Sequence, residues 1–145
     1  MRVAIALDQE RVRPVGMWVV ETPAVQRPSL AGPYVAVVQV AGRSVLLQSL
    51  GDPFVTRSIQ RPEEIGHYYV PRERTTVHVD VPLSDKEDVG NISIRIADLS
   101  GVADAPTDWH GLAALLERAP PEVRWLPSVE SADLMKHRDW SQVIQ

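Results

Sequence analysis

Thr75-Thr76-Val77-His78-Val79-Asp80-Val81 and, after a turn-like stretch, Asn91-Ile92-Ser93-Ile94-Arg95-Ile96-Ala97-Asp98 decide the fold. In both runs apolar and polar residues alternate, so Val77, Val79 and Val81 share one face of a strand and Ile92, Ile94 and Ile96 share one face of another. β-Branched side chains at those positions suit a pleated, half-buried surface. The pair reads as an antiparallel hairpin joined through Pro82–Gly90, with one buried and one wet face. On the wet face His78 and Asp80 then have Ser93 and Arg95 as cross-strand neighbours, and an exposed Asp80–Arg95 ion pair is worth under ~1 kcal/mol.

Working outward, Arg2–Leu7 and Val15–Thr22 read as strands separated by the polar Asp8–Arg13 and by Pro14. Pro23–Pro33 carries three prolines and no periodicity, the composition of a connection. Tyr34–Ala41 and Ser44–Leu50 form a second pair, with Gly42 supplying an unusual φ in the turn between them. The first of these is apolar on both faces, as a central strand is. Gly51-Asp52-Pro53 bends the chain into a short edge strand over Phe54–Ile59. Gln60–Arg74 is a long loop with a short strand at His67–Val70. Beyond Leu99 the pattern becomes helical: Thr107 caps a helix with Asp108 in its first turn, Trp109, Leu112, Leu115 and Leu116 form its apolar stripe, and Pro120-Pro121 stops it. Ser128 caps a second short helix over 129–137.

About seven short strands punctuated by turn signals predict a mainly β chain, an antiparallel two-sheet sandwich of immunoglobulin-like architecture with one or two short C-terminal helices. A flattened barrel is the alternative. Residues 1–103 make the sandwich body, and residues 104–145 a helical extension packed on the same domain. The 145 residues, 44% of them apolar and 23% charged, suffice for one self-supporting core.

The chain has no cysteine, which excludes disulfides and thiolate metal sites. Its net charge of −4 is uneven: residues 1–75 hold nine arginines against seven acids, whereas residues 76–145 hold six basic residues against twelve acids. That balance gives no reason to expect nucleic acid as a partner. The five apolar residues before Asp8 are too few for a signal-peptide core, and no run approaches a membrane span, so a cytoplasmic protein with no membrane partner is expected.

Nucleophilic catalysis lacks a Gly-x-Ser-x-Gly elbow, and phosphate-loop and dinucleotide fingerprints are missing, so no cofactor is implied. His78 and Asp80 share a strand face and offer two metal ligands, but zinc needs a third from elsewhere. Asp85, Glu87, Asp88 and Asn91 supply oxygens for a hard cation, but Lys86 interrupts them and a solvated acidic turn accounts for them better. Trp18 or Trp125, if exposed, can stack on a sugar.

Protein recognition has the stronger claim. Arg61, His67, Tyr68, Tyr69, Arg72 and Arg74 cluster in one loop, and Tyr and Arg are enriched at interface hot spots. The tail residues Trp140, Val143 and Ile144 have helical spacing and either fold back on a sheet or dock on another subunit. The sequence therefore reads as a non-enzymatic protein–protein interaction or assembly module, acting through loop 60–74 and the tail on a protein partner or on itself. A small metal-dependent enzyme centred on His78 and Asp80, or a carbohydrate-binding module, are the alternatives.

Overall fold

The computed structural model describes residues 1–8, 11–21, 30–57, 69–83 and 86–143. Ten strands occur among them: β1 (Arg2–Asp8), β2 (Val12–Trp18), β3 (Tyr34–Val40), β4 (Arg43–Gly51), β5 (Val55–Arg57), β6 (Tyr69–Pro71), β7 (Arg74–Asp80), β8 (Ile92–Asp98), β9 (Arg124–Trp125) and β10 (Val129–Glu130). Three short helices follow β8: α1 (Trp109–Arg118), α2 (Ser131–Met135) and α3 (Trp140–Val143). The fold is mainly β, as expected. A three-stranded antiparallel sheet runs in the order β2-β1-β7, and a five-stranded antiparallel sheet in the order β10-β8-β3-β4, with β9 also on β8; β5 and β6 form a separate ribbon.

The two sheets meet face to face over one core. Val3, Ile5, Leu7, Val77, Val79 and Val81 of the smaller sheet lie against Ala36, Val38, Val40, Ile92, Ile94 and Ile96 of the larger, all buried. The alternation in the two deciding stretches is thus present, with the valines and isoleucines inward, but the hairpin is not. β7 pairs with β1 (Val79 opposite Val3), and β8 pairs with β3 (Ile94 opposite Val38). The physical reason is that two apolar faces gain more by opposing each other across a core than by lying side by side. The connection between them includes a 3₁₀ turn, Lys86–Asn91, whose Val89 is buried. The expected Asp80–Arg95 pair fails for the same reason. Asp80 instead receives Arg2, Arg95 lies 3.9 Å over the ring of Trp125, and the Ser93 hydroxyl donates to Glu130 at 3.0 Å.

The central strand β3 is apolar on both faces because both are covered. Val35 and Val37, with Ala97 of β8 and Leu99 just beyond it, pack against Leu112, Leu115 and Leu116 of α1 in a second core. Asp108, not Thr107, caps that helix: its carboxylate accepts the Gly111 N–H at 2.8 Å. Ala119 ends it in the left-handed conformation, just before the prolines. Ser128 caps nothing. Val129 and Glu130 join β8 as a strand, Glu130 is the N-cap of α2, and α2 runs only from Ser131 to Met135. Trp140 and Val143 fold back against the main core, one of the two outcomes the sequence left open.

Both sides of the sandwich are closed. On one, the Gln48 side chain of β4 reaches the free edge of β7, donating to the His78 carbonyl at 2.8 Å and accepting from the Asp80 N–H at 2.9 Å. On the other, α2 and α3 bridge β10 to β2, with Leu134 fully buried between the sheets. The β3–β4 hairpin turns at Ala41 and Gly42, both at positive φ (50° and 75°), as a two-residue turn matching strand twist requires.

Candidate functional site

The outer face of the three-stranded sheet carries none of the described helices. Its cross-strand rows follow from the register. Trp18, Arg2 and Asp80 form one row; Gly16, Ala4 and His78 the next; Arg13, Ala6 and Thr76 the third; Asp8 and Arg74 close the series. On the middle strand Ala4 and Ala6 carry only methyl groups; Ala4 is buried where Trp18 and His78 of the flanking strands meet edge-on, so the face forms a shallow trough at its Ala6 end.

A β-bulge decides which side chains enter it. The register of β1 with β2 shifts between Ala4, opposite Gly16, and Ile5, opposite Pro14, leaving Val15 as the extra residue. Strict alternation from the buried Met17 would send Arg13 inward. The bulge turns it outward, where it is exposed. Pro14 is tolerated because β2 is an edge strand. The strand therefore spans Val12–Trp18 rather than Val15–Thr22.

At one end of the trough lies a cavity of about 610 Å³ lined by Arg11, Arg13, Arg72, Arg74, Asp8, Thr75 and Thr76, with Ala6 and Leu7. Two strand connections bring the arginines together. Asp8 and Arg11 close the β1–β2 turn, the Arg11 N–H bonding the Asp8 carboxylate and the Asp8 N–H the Arg11 carbonyl. On the other flank the Arg72 N–H bonds the Phe54 carbonyl at 2.7 Å, fixing the approach to β7. Among the described residues, four arginines thus line the cavity with one acidic residue, Asp8. Arginine's planar fork and permanent charge suit it to bidentate contact with carboxylates.

At the opposite end Trp18 is 39% exposed and stands edge-on to His78, their ring centroids 5.5 Å apart. Beside it Arg2 holds Asp80 through two bonds, of 2.6 and 3.0 Å, and that hydrogen bond pushes the Arg2 guanidinium further above its ordinary value. His78 and Asp80 do share a face, but Asp80 already has both oxygens engaged by Arg2. Among the described residues no group of three or more His, Cys, Asp or Glu is placed to hold a metal ion.

Of the loop residues expected to bind a partner, Arg72 and Arg74 enter the cavity. Arg61, His67 and Tyr68 lie outside the described residues, as do Asp85 and Ile144. Tyr69 opens β6 opposite Arg57, its side chain undescribed. Glu87 and Asp88 belong to the 3₁₀ turn, with Asp88 half-buried. Trp125 lies under Arg95, whereas Trp18 keeps an open face. Sequence reasoning missed Arg11 and Arg13. The available signal was Pro14 inside an otherwise strand-like run, which marks an edge strand or bulge.

A second polar cluster is structural. The buried Asp98 carboxylate accepts from the Tyr34 hydroxyl (3.2 Å), the Ser100 N–H (3.0 Å) and hydroxyl, and Arg124 (2.9 Å). Burial alone would raise its pKa, but the donors from Ser100 and Arg124 outweigh it and hold the carboxyl below its ordinary value. Tyr34 is pushed up by burial and by the neighbouring Asp98 charge. With every oxygen occupied, this cluster ties the end of β8 to β3 and β9 and offers no open position. No described helix is long and apolar enough to cross a membrane. Comparison of the chain with protein-family models, with curated proteins and with solved structures finds no match.

Proposed function

We propose that the chain is a non-enzymatic protein-interaction module that grips an acidic segment of a partner protein at the arginine end of the trough. One observation carries the reading: Arg11, Arg13, Arg72 and Arg74 converge on a single cavity in a molecule whose net charge is −4. Like charges are not gathered this way for stability, since each repels the others. A short carboxylate-bearing segment neutralises them through bidentate bonds. A long polyanion such as nucleic acid would bring its other phosphates against an acidic remainder, because twelve acids and six basic residues occupy positions 76–145.

The test is fluorescence anisotropy with a labelled glutamate-rich peptide. Binding is expected at low ionic strength and should weaken steadily with added salt. Arg13→Glu combined with Arg72→Glu should reduce affinity at least about tenfold, since two attractive contacts become repulsive. No binding at low salt, unchanged binding by the double variant, or a preference for heparin or a single-stranded oligonucleotide over the peptide would overturn the reading.

A further inference from the structure

We infer that the arginine cavity is built for a phosphorylated side chain, so that phosphorylation of a serine or threonine in the partner segment switches binding on. This rests on the acidic-segment reading above and names the anionic group that the cavity takes best.

The arginines surround a point rather than line a stripe. Arg11 and Arg74 stand on either side of Asp8, the first through the turn bonds and the second as its partner in β7. Two strand spacings put their backbones about 10 Å apart, so these long side chains can close on a single group above Asp8. Arg13 and Thr76 flank Ala6, one step of about 7 Å along the sheet. Arg72, two residues before Arg74, enters the same cavity. All four arginines are exposed, and none is in an ion pair with a described residue.

Such a centre favours charge concentrated on one group. Side chains on one side of an extended segment recur every second residue, about 7 Å apart. A run of glutamates therefore brings one carboxylate to the centre and leaves the others at its rim. That carboxylate carries one charge and two oxygens. A phosphoryl group carries close to two charges and three oxygens, enough to take several guanidinium forks at once. Among the described lining residues, four positive charges against the one negative charge of Asp8 leave +3, and the attraction grows with the charge of the anion. Thr75 and Thr76 line the same cavity, and threonine hydroxyls add neutral donors for phosphoryl oxygens.

The same geometry gives Asp8 a part in selection. It lines the cavity between Arg11 and Arg74, so its repulsion of a bound anion scales with that anion's charge. Removing the charge of Asp8 therefore helps a dianion more than a monoanion.

The experiment uses labelled peptides that share one sequence apart from the centre, which is serine, phosphoserine, glutamate or three consecutive glutamates, read by anisotropy at neutral pH and low ionic strength. The phosphoserine peptide should bind at least about tenfold tighter than the single-glutamate peptide and no weaker than the three-glutamate peptide. The serine peptide should not bind. Arg74→Gln should cut the phosphoserine advantage to about threefold or less. Asp8→Asn, which keeps an acceptor for the Arg11 N–H, should tighten the phosphoserine peptide more than the glutamate peptide. A phosphoserine peptide no tighter than glutamate, an advantage untouched by Arg74→Gln, or equal gains from Asp8→Asn would sink the phosphoryl inference; binding of the three-glutamate peptide would then leave the acidic-segment reading standing. Inorganic phosphate that competes as well as the phosphopeptide would assign the cavity to a free anion and overturn the inference. No binding by any peptide overturns both readings.

Discussion

Asp98 shows how a buried charge is made stable here. Its carboxylate is 5% exposed, yet its donors come from four side-chain and backbone groups on three segments of the chain. Asp98→Asn should therefore cost about 2 kcal/mol at neutral pH, read from urea unfolding, because donors are left facing an amide that can accept at only one atom. The sign of the pH dependence follows from the lowered pKa of the folded state. The contribution is fully present above the unfolded value, about pH 4, and is lost as pH falls through the lower folded value. The stability gap between the parent and Asp98→Asn should close in that acid window. A gap independent of pH would show that the carboxylate is not the species stabilised. Gly32 carries a different constraint: at φ 93°, a Cβ there would lie 2.5 Å from the Gly51 backbone, so the two loops can touch only through glycine.

At the scale of elements, the pairing of β7 is the point on which sequence and structure part. Alternation in Arg74–Asp80 specifies which side chains are buried but not which strand lies alongside, since any neighbour of matching period satisfies it. The chain's lack of cysteine makes a clean check possible. Ala4→Cys with His78→Cys, directly opposite residues of β1 and β7, should oxidise to an intramolecular disulfide. Asp80→Cys with Arg95→Cys, neighbours only in a β7–β8 hairpin, should remain as free thiols under the same conditions, scored by thiol titration. The bulge in β2 belongs to the same scale. One unpaired residue, Val15, moves Arg13 from the core side to the trough, and no count of apolar residues anticipates that move.

For the whole molecule, the layers assign a role to each surface. One face of the larger sheet supports the smaller sheet and the other supports α1, while α2 and α3 fill one side of the sandwich. The outer face of the smaller sheet carries none of the described helices, and at one end of it the arginines collect. If they serve recognition rather than folding, replacing them should not weaken the protein. Arg13→Gln with Arg72→Gln should melt within about 1 kcal/mol of the parent, or above it at low ionic strength, because mutual repulsion is relieved. A loss well beyond that in thermal unfolding would instead make the cluster part of the structural framework.

The sequence by itself determined the mainly β class, the inward valines and isoleucines of β7 and β8, the double-sided burial of β3 and the helix over Trp109–Arg118, because each is written in a local period or a local stop signal. It also marked Arg72 and Arg74 as surface residues of interest. Only the tertiary structure decided that β7 belongs with β1, that Val129 and Glu130 extend the larger sheet, and that Arg11 and Arg13 join Arg72 and Arg74 across three strands. Those outcomes depend on contacts between residues up to 80 positions apart. Such contacts are settled by which apolar faces can oppose each other and by a single bulge, neither of which any short window of residues contains.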